Sequence, residues 1–515
     1  MISVYKSFKI LLTFISENRY IFLVSLILFK VAIQSTNGVW YEDFWEHSAI
    51  VYALMQDTLT AAHPILDLFA PHSFVTPYHL FVAYFAKVFH LNSIDGLGIF
   101  GIINFCLFAY GINFYCSAFV NKETKFTNFY ALFFILFLWG YKPWGFSGFF
   151  HFRLLADVLP YPSTFATAIS LIGLGLSFKS SQNKNILWQL SLILICSIVL
   201  LSHPLTFIFL ASGLLCKSLT CEDKFVSTAQ TIALLAVVSA FAIFWPYSSI
   251  ITLLTGAGGV YHASNQIMYK DIFIRVWPIL ALSPLLLGIV KDKVFQPTFL
   301  HLTFLIAIYI FGWVTGKYSY GRDITFIAIL IQILIASQFA YFENKFLSSH
   351  PTSTSTCRLL VGVILLCSAF TWIYPAMNRL MTVLNSLVSG RTVSNQHTYK
   401  NLTFLPAYIK NGGVVFSDIE TSWLVPSFGG KVIGALHVQA YVADDEQRRV
   451  ELIDFFSRET SAIERQTIIQ KYKPDYFLID KLTIKEWEKI LNQVDSFSKT
   501  SKIYENDQYL LFRFN

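Results

Sequence analysis

Four ionisable side chains lie among aromatic rings in the short stretch WYEDFWEHSA, residues 40–49. Glu42 and Glu46 are four residues apart, and so are Asp43 and His47, so in a helix each pair shares a face. A carboxylate placed there can accept a proton from an attacking hydroxyl, and a neighbouring acid or imidazole can orient that hydroxyl. Carboxylate and imidazole also bind divalent cations, but this spacing matches no strong metal motif, so no metal is assigned.

A structural role for the same stretch is the alternative. Glu42 or Asp43 at the start of a helix would be stabilised by the helix dipole without any catalytic function. The rings could form an aromatic belt at a membrane surface, although rings between carboxylates also suit the faces of sugars. Such a concentration of charge, in a chain with only 13% charged residues, favours a site. We therefore expect Asp43 to be the proton acceptor and Glu42 its substitute, with three residues contacting substrate: Glu46, His47 and Trp45.

The chain that must position these residues is too apolar for an ordinary soluble protein. Of its 515 residues 55% are hydrophobic, and the mean hydropathy is +0.55. Apolar runs long enough to cross a bilayer recur up to about residue 388. The sequence thus predicts a polytopic α-helical membrane protein. We expect about eleven transmembrane helices, near 19–36, 96–119, 126–141, 159–178, 186–202, 204–219, 225–245, 272–290, 298–314, 322–341 and 358–377.

Short lysine-rich loops alternate along the chain with longer loops of other composition. By the positive-inside rule the lysine-rich loops face the cytoplasm, together with the N-terminus. An odd number of spans then places the C-terminal region outside. These features predict a transmembrane domain over 1–390 and an extracytoplasmic domain over 391–515. The first outer loop, 37–95, has helix-forming, apolar stretches at 46–61 and 78–89, which predict amphipathic helices in the outer interface.

The C-terminal region has the pattern of a small α/β domain. Short apolar stretches, GGVVFSD at 412–418, PDYFLID at 474–480 and the closing YLLFRF, predict buried strands. Between them, 444–470 and 483–494 have helical composition. The region carries 16 basic and 16 acidic residues, so the excess behind the net charge of +7 lies in the membrane part. Nucleic acid is therefore not an expected partner.

Basic residues at predicted outer positions run against the positive-inside trend. A planar guanidinium grips phosphate oxygens with two hydrogen bonds, and lysine adds a point charge. Snorkelling to lipid headgroups or pairing with nearby aspartates is the structural alternative. We expect a phosphate site led by Arg322 and completed by Lys317, Arg153 and Lys270; Lys142 and Arg275 belong to the same outer set.

The order of these features resembles the GT-C superfamily of membrane glycosyltransferases over most of the chain. The acidic motif follows the first span directly, as in that family. HPILDLFAPHSFVTPYHLFVAYFAKVF resembles the His-Pro-bearing loop before span two in bacterial members, and VVFSDIETSWLVPSFGGKVIGALH resembles their outer domains. Many members carry two aspartates, or Asp-Glu, at the acidic site. This chain has Glu42-Asp43, so which of the two acts stays open.

The resemblance implies a sugar donor carried on a polyprenyl phosphate or diphosphate. The expected enzyme is an inverting hexosyl- or pentosyltransferase that acts on a glycan, lipid or protein acceptor. Its expected place is a bacterial inner membrane, with the C-terminal domain in the periplasm. Because phosphate is a good leaving group, it needs cations around it more than a proton donor. The chief alternative is a membrane transporter or a flippase for lipid-linked saccharides, but the charges gather at one face and the chain shows no internal repeat.

Overall fold

The computed structural model describes residues 17–37, 40, 42–58, 63–119, 124–180, 186–255, 263–349 and 400–515, with scattered positions between 362 and 385. The chain divides into two compact units. The first unit comprises Met1–Asn37, Ile99–Phe244 and Tyr261–Arg391, and the second comprises Gly38–Gly98, Trp245–Val260 and Thr392–Asn515.

Helices dominate the described chain. The α-helices are α1 (Arg19–Asn37), α2 (Phe44–Gln56), α3 (Pro77–Val88), α4 (Ser93–Cys116), α5 (Thr127–Phe137), α6 (Leu155–Val158), α7 (Pro162–Ser180), α8 (Ile186–Ser202), α9 (Pro204–Leu219), α10 (Lys224–Ile243), α11 (Ile250–Thr255), α12 (Ile272–Leu282), α13 (Gln296–Val314), α14 (Ile324–Ser349), α15 (Leu405–Tyr408), α16 (Ile419–Leu424), α17 (Asp445–Phe455), α18 (Ala462–Tyr472) and α19 (Trp487–Phe497). Short 3₁₀ helices cover Ala263–Tyr269, Ser283–Gly288, Tyr318–Asp323, Lys400–Leu402 and Val425–Phe428.

Four of the described helical segments are long and apolar enough to cross a membrane: Ser93–Cys116, Lys224–Ile243, Gln296–Val314 and Tyr318–Phe346. The bent pair Ala263–Tyr269 and Ile272–Gly288 makes a fifth if it counts as one span, and α5, α8 and α9 are shorter apolar helices. The predicted number of about eleven spans stays a prediction. The span predicted near 358–377 lies outside the described residues, apart from isolated positions.

Buried polar contacts tie helices of the first unit together. Arg19 on α1 forms a 2.9 Å ion pair with Glu343 on α14, and Tyr130 on α5 donates a 2.7 Å hydrogen bond to the same carboxylate. Gln332 donates to the carbonyl of Phe134. Charges in an apolar helical bundle are costly unless they are paired, so these contacts fix α1 and α5 against α14.

A four-stranded sheet forms the centre of the second unit. Its strands are β1 (Val415–Phe416), β2 (Tyr476–Asp480), β3 (Thr500–Glu505) and β4 (Tyr509–Phe514), in the order β1-β2-β4-β3. β1 pairs with β2 in parallel, whereas β4 pairs antiparallel with both of its neighbours. All five residues of β2 are buried, as expected of a central strand covered on both faces.

The first loop of the chain is joined to this sheet by backbone pairing inside the second unit. Leu66 bridges Val432 in parallel, and Lys431 bridges Val414, the residue that precedes β1. The apolar core beneath the sheet contains Phe416, Ile433, Leu452, Phe455, Phe477 and Phe512. Segments that are far apart in the sequence therefore belong to one packed body.

The structure has helices and strands at most of the predicted places in the second unit. α3 matches the helix predicted at 78–89, whereas α2 ends at Gln56, before the end of the helix predicted at 46–61; residues 59–61 lie outside the described part of the chain. The helix predicted over 444–470 is interrupted, because Ser461 forms a capping box with Glu464 and thereby begins a new helix, α18. β3 was missed because polar residues cover most of this edge strand. The predicted domain boundary at 390 and 391 stays a prediction, although the structure groups 38–98 with the C-terminal region.

Candidate active site

The backbone just before α2 sets the direction of the acidic side chains. Glu42 has φ 47°, in the left-handed region, and its side chain is exposed. Its carbonyl accepts hydrogen bonds from the amide of Trp45 at 3.3 Å and from the indole of Trp423 at 2.9 Å. Asp43 occupies the position before the helix, but its side chain does not cap the helix amides. The dipole-capping alternative therefore lacks the hydrogen bond that normally defines an N-cap.

Asp43 and Glu46 meet at one histidine from the C-terminal region. Nδ1 of His437 lies 3.2 Å from Oδ1 of Asp43 and 3.6 Å from Oε2 of Glu46. The side chains of Asp43 and His437 are 38% and 36% exposed, whereas Glu46 is only 2% exposed. His437 thus lies between a solvent-accessible carboxylate, that of Asp43, and a buried one, that of Glu46. The carboxylates raise the pKa of His437, although burial opposes the shift.

Two polar side chains from other segments lie close to the Glu46 carboxylate. Nε2 of His72 lies 3.1 Å from its Oε1, and Gln439 donates to the same oxygen at 3.3 Å. Nδ1 of His72 accepts the amide of Phe74, so in the neutral ring Nε2 carries the hydrogen. Burial by itself raises the pKa of Glu46. The hydrogen bonds and charges of His437 and His72 outweigh it and hold that pKa well below the usual range.

Two buried histidines, His47 on α2 and His79 on α3, contact each other next to the acidic cluster. Nδ1 of His47 is 2.9 Å from Nε2 of His79, whose Nδ1 is 2.8 Å from the hydroxyl of Thr76. Burial lowers the pKa of His47 to about 4 and the pKa of His79 well below its usual value. Both rings are therefore neutral near pH 7, and one donates to the other. The sequence predicted contact between His47 and substrate, and this stays a prediction.

His63 and Lys431 form the layer behind His72. The rings of His63 and His72 meet edge to face at 4.8 Å, and Nδ1 of His63 accepts the amides of Ile65 and Leu66. Lys431 donates to the carbonyl of His63, and burial lowers the pKa of this lysine to about 8. This layer fixes the loop that carries His72.

Trp45 is buried rather than presented to solvent. Its ring is 5% exposed and packs edge to face on Phe44, while Phe44 stacks on Trp40 at 4.2 Å. The hydroxyl of Ser427 donates to the carbonyl of Trp45. These contacts give Trp45 a packing role at the start of α2, and its predicted contact with a sugar stays a prediction.

In the first unit, Arg322 is held in place by two other segments. Its Nε donates to Oδ1 of Asn265 at 2.7 Å and its Nη1 donates to the hydroxyl of Ser147 at 3.0 Å. The guanidinium also lies 5.6 Å from the ring centroid of Phe146, a favourable cation–π distance. Arg322 is thus fixed before any ligand arrives.

The other cations of the predicted outer set include a structural residue and exposed ones. Arg275 donates to the carbonyls of Lys142 and Lys270 and lies 5.1 Å from the ring centroid of Trp144. This arginine braces two loops of the first unit. Lys270, Lys317 and Arg153 have exposed side chains.

Several residues of the acidic cluster were not predicted from the sequence. His72 and His79 lie inside the stretch quoted for its family resemblance, and the tail stretch includes Trp423 and His437. Gln439 lies two residues further on. Their proximity to Glu46 depends on pairings between distant segments, which no local spacing reveals. Among the described residues, no group of three or more His, Cys, Asp or Glu side chains is arranged to hold a metal ion.

These elements make the chain a helical membrane protein with a C-terminal sheet. No family model matches it, and no curated protein shows a significant sequence match. Solved structures with a similar fold are an apo oligosaccharyltransferase from Archaeoglobus fulgidus and ArnT from Cupriavidus metallidurans bound to undecaprenyl phosphate. The first is 11% identical, with a TM-score of 0.54 over 90% of this chain and 69% of that one. The second is also 11% identical, with a TM-score of 0.53 over 96% of this chain and 97% of that one.

A further match is the Archaeoglobus oligosaccharyltransferase AglB in complex with an inhibitory peptide and a dolichol-phosphate. It is 13% identical, with a TM-score of 0.50 over 90% of this chain and 70% of that chain. The predicted resemblance to GT-C enzymes is therefore confirmed at the level of the fold.

Proposed function

We propose that this protein is a GT-C-type glycosyltransferase that uses a polyprenyl-phosphate-linked sugar. The observation that carries the proposal is the cluster of Asp43, Glu46 and His437, which combines an accessible carboxylate with a buried, fixed anion. The shared fold supports the donor class, because solved structures of that fold hold undecaprenyl phosphate and dolichol-phosphate. The acceptor is a hydroxyl of a glycan, lipid or protein, on the periplasmic face of a bacterial inner membrane.

The proposed reaction assigns the proton to Asp43. The acceptor oxygen attacks the anomeric carbon, its O–H proton passes to the Asp43 carboxylate, and the new glycosidic bond forms. The bond from the anomeric carbon to the phosphate oxygen breaks, and the lipid phosphate leaves with the electron pair. Attack from the opposite side of the sugar ring inverts the anomeric centre. No carboxylic acid is needed for the leaving group, unlike in the hydrolysis of a glycoside.

Asp43 fits the role of base better than Glu42 or Glu46. Glu46 is almost fully buried and is already engaged by His72 and Gln439. The side chain of Glu42 is exposed, and its main-chain carbonyl accepts the hydrogen bond of Trp423 that stabilises the turn before α2. Asp43 is partly exposed and also bound to a neighbouring donor, the combination that a positioned general base requires.

For the donor phosphate we propose Arg322, with Lys317, Arg153 and Lys270 as further contacts. Arg322 is already oriented by Ser147 and Asn265, so little side-chain entropy is lost when it binds an anion. Positive charge at the leaving oxygen stabilises the developing phosphate anion in the transition state.

The test compares Asp43→Asn with Glu42→Gln in the full chain, purified into nanodiscs. Each variant receives a panel of radiolabelled monosaccharides on undecaprenyl phosphate, with a membrane extract that contains glycans, lipids and proteins as acceptor, and the loss of label from undecaprenyl phosphate is counted. We expect Asp43→Asn to reduce turnover at least about a hundredfold and Glu42→Gln to have a minor effect. Near-normal turnover in both variants would refute the proposed acid–base chemistry.

A further inference from the structure

One imidazole nitrogen connects the exposed and the buried carboxylate of the cluster. Nδ1 of His437 faces Oδ1 of Asp43 at 3.2 Å and Oε2 of Glu46 at 3.6 Å. Glu46 is anchored from its other oxygen by His72 and Gln439. A buried carboxylate, that of Glu46, therefore lies within ion-pair distance of His437.

We propose that His437 is a positioning residue for the general base: its Nδ1–H, anchored by buried Glu46, holds the Asp43 carboxylate in the orientation that accepts the proton of the acceptor. This inference rests on the proposed function and extends it, because it gives the C-terminal region a part in the chemistry. His437 acts through Asp43, and the proton of the acceptor goes to Asp43.

The tautomer of His437 follows from its two neighbours. Carboxylate oxygens only accept hydrogen bonds, so the nitrogen between them has to carry the hydrogen. Nδ1–H is therefore present in both the neutral and the charged ring. It faces Oδ1 of Asp43 at 3.2 Å.

The indole of Trp423 fixes the ring of His437 from another direction. The two ring centroids are 4.6 Å apart. Trp423 is itself 3% exposed and bonded to the carbonyl of Glu42. Residues of the C-terminal region thus contact both the main-chain carbonyl of Glu42, through Trp423, and the carboxylate of Asp43, through His437.

The charge of His437 then modulates the basicity of Asp43. Burial lowers the pKa of His437, but the negative charges of Glu46, Asp43 and Glu42 outweigh it and raise that pKa. The nearby His47 is buried and neutral near pH 7, so it adds no charge there. A charged ring next to Asp43 makes that carboxylate a weaker base than a neutral ring does. Loss of the ring proton should therefore increase turnover while the Nδ1–H contact is kept.

Two substitutions of His437, by Asn and by Gln, separate its positioning effect from its charge effect. Each introduces an amide nitrogen, but at a different position relative to the original ring. In His437→Asn the amide nitrogen can take the place of Nδ1, whereas in His437→Gln it falls nearer to Nε2. Under the transfer assay described above, we expect His437→Asn to stay within about fivefold of the parent and to lose the pH dependence due to the ring. His437→Gln should lose at least about tenfold in turnover, with little change in KM for the undecaprenyl-phosphate sugar.

Equal losses in both variants with an unchanged pH profile would overturn the proposal, and so would normal turnover in His437→Gln. If Asp43→Asn is inactive while both His437 variants behave like the parent, this inference fails and the proposed function stands.

A measurement without substrate protects the test against misfolded variants. Histidine ring carbons are labelled with ¹³C, and the His437 signal is assigned by its absence in His437→Asn. We expect the pKa of His437 to fall in Glu46→Gln and in Asp43→Asn, because each removes a negative charge from its Nδ1 side. An unchanged titration in both variants would show that the contact does not exist in the membrane-embedded protein.

Discussion

The indole N–H of Trp423 donates a 2.9 Å hydrogen bond to the main-chain carbonyl of Glu42. This bond joins the C-terminal region to the single turn that starts α2. Glu42 adopts a left-handed backbone there, a conformation that costs free energy for residues other than glycine. The hydrogen bond therefore helps to hold a strained turn that directs Asp43 towards His437.

Trp423→Phe should destabilise this turn while it keeps most of the ring packing. Loss of this part-buried hydrogen bond costs about 1 kcal/mol of unfolding free energy. We expect a lower thermal midpoint in nanodiscs and a modest loss of transfer activity. Trp423→Tyr serves as the comparison, because its ring keeps a hydrogen-bond donor, the phenol hydroxyl. If Trp423→Phe unfolds at the parent temperature, the bond contributes nothing measurable.

Substitutions at Glu42 test the left-handed backbone and the carboxylate separately. Glu42→Gly removes the charge but accepts the backbone conformation, so its stability should match that of the parent or exceed it. Glu42→Val, with a β-branched side chain, should lose about 1 to 2 kcal/mol. Thermal unfolding of both variants is the measurement. Normal transfer by Glu42→Gly would further confine the base to Asp43, whereas its inactivity would assign a role to Glu42.

Acidification should destabilise the second unit through His47 and His79. Burial lowers the pKa of His47 to about 4 from an ordinary value of 6.5. Between these two pH values the unfolded chain therefore binds more protons than the folded protein does. The contribution of the neutral His47 to stability is therefore fully present above about pH 6.5 and is lost as the pH falls from there towards about 4. For His47 alone, a change from about pH 7 to about pH 5 costs roughly 2 kcal/mol.

The measurement for this pair is the difference in thermal midpoint between the two pH values. His47→Gln and His79→Gln should show a smaller difference than the parent, whatever their absolute stability. His90→Asn is the matched control, because His90 is exposed and its removal should leave the pH dependence intact. A parent-like pH dependence in both glutamine variants would contradict the assignment.

Arg322 and Arg275 provide a matched pair for the phosphate site. Arg322→Ala should raise KM for the undecaprenyl-phosphate sugar about tenfold or more, with a smaller effect on the acceptor. Arg275→Ala removes the donor to the carbonyls of Lys142 and Lys270 and should mainly lower the thermal midpoint. Equal effects of Arg322→Ala on donor and acceptor would indicate a structural role for Arg322 as well.

The sequence identified the class of fold and the acidic stretch, but only part of the cluster. Helical spacing placed Glu46 and His47 on α2, because periodicity is a local property of the chain. Glu46 is buried close to His72 and Gln439, and its predicted contact with substrate stays a prediction. Those partners arrive through backbone pairing between distant segments, such as Leu66 with Val432, and no spacing rule encodes such a pairing.

Local chemistry also explains where helix and strand predictions differ from the structure. The break between α17 and α18 could have been predicted from the sequence, because Ser461 and Glu464 have the spacing of a capping box and form one in the structure. β3 was not readable, because its residues are mostly polar and it gains order from pairing with β4. Edge strands of this kind depend on tertiary context more than on composition.

The separation in sequence between Asp43 and His437 sets an order of events during biosynthesis. The turn at Asp43 leaves the ribosome early, but its imidazole partner emerges only after all the helices between them have been made. Under the proposed mechanism, a prematurely terminated chain lacks the imidazole that orients Asp43. The proposed transfer activity would therefore be acquired late in translation, and incomplete chains would be inactive.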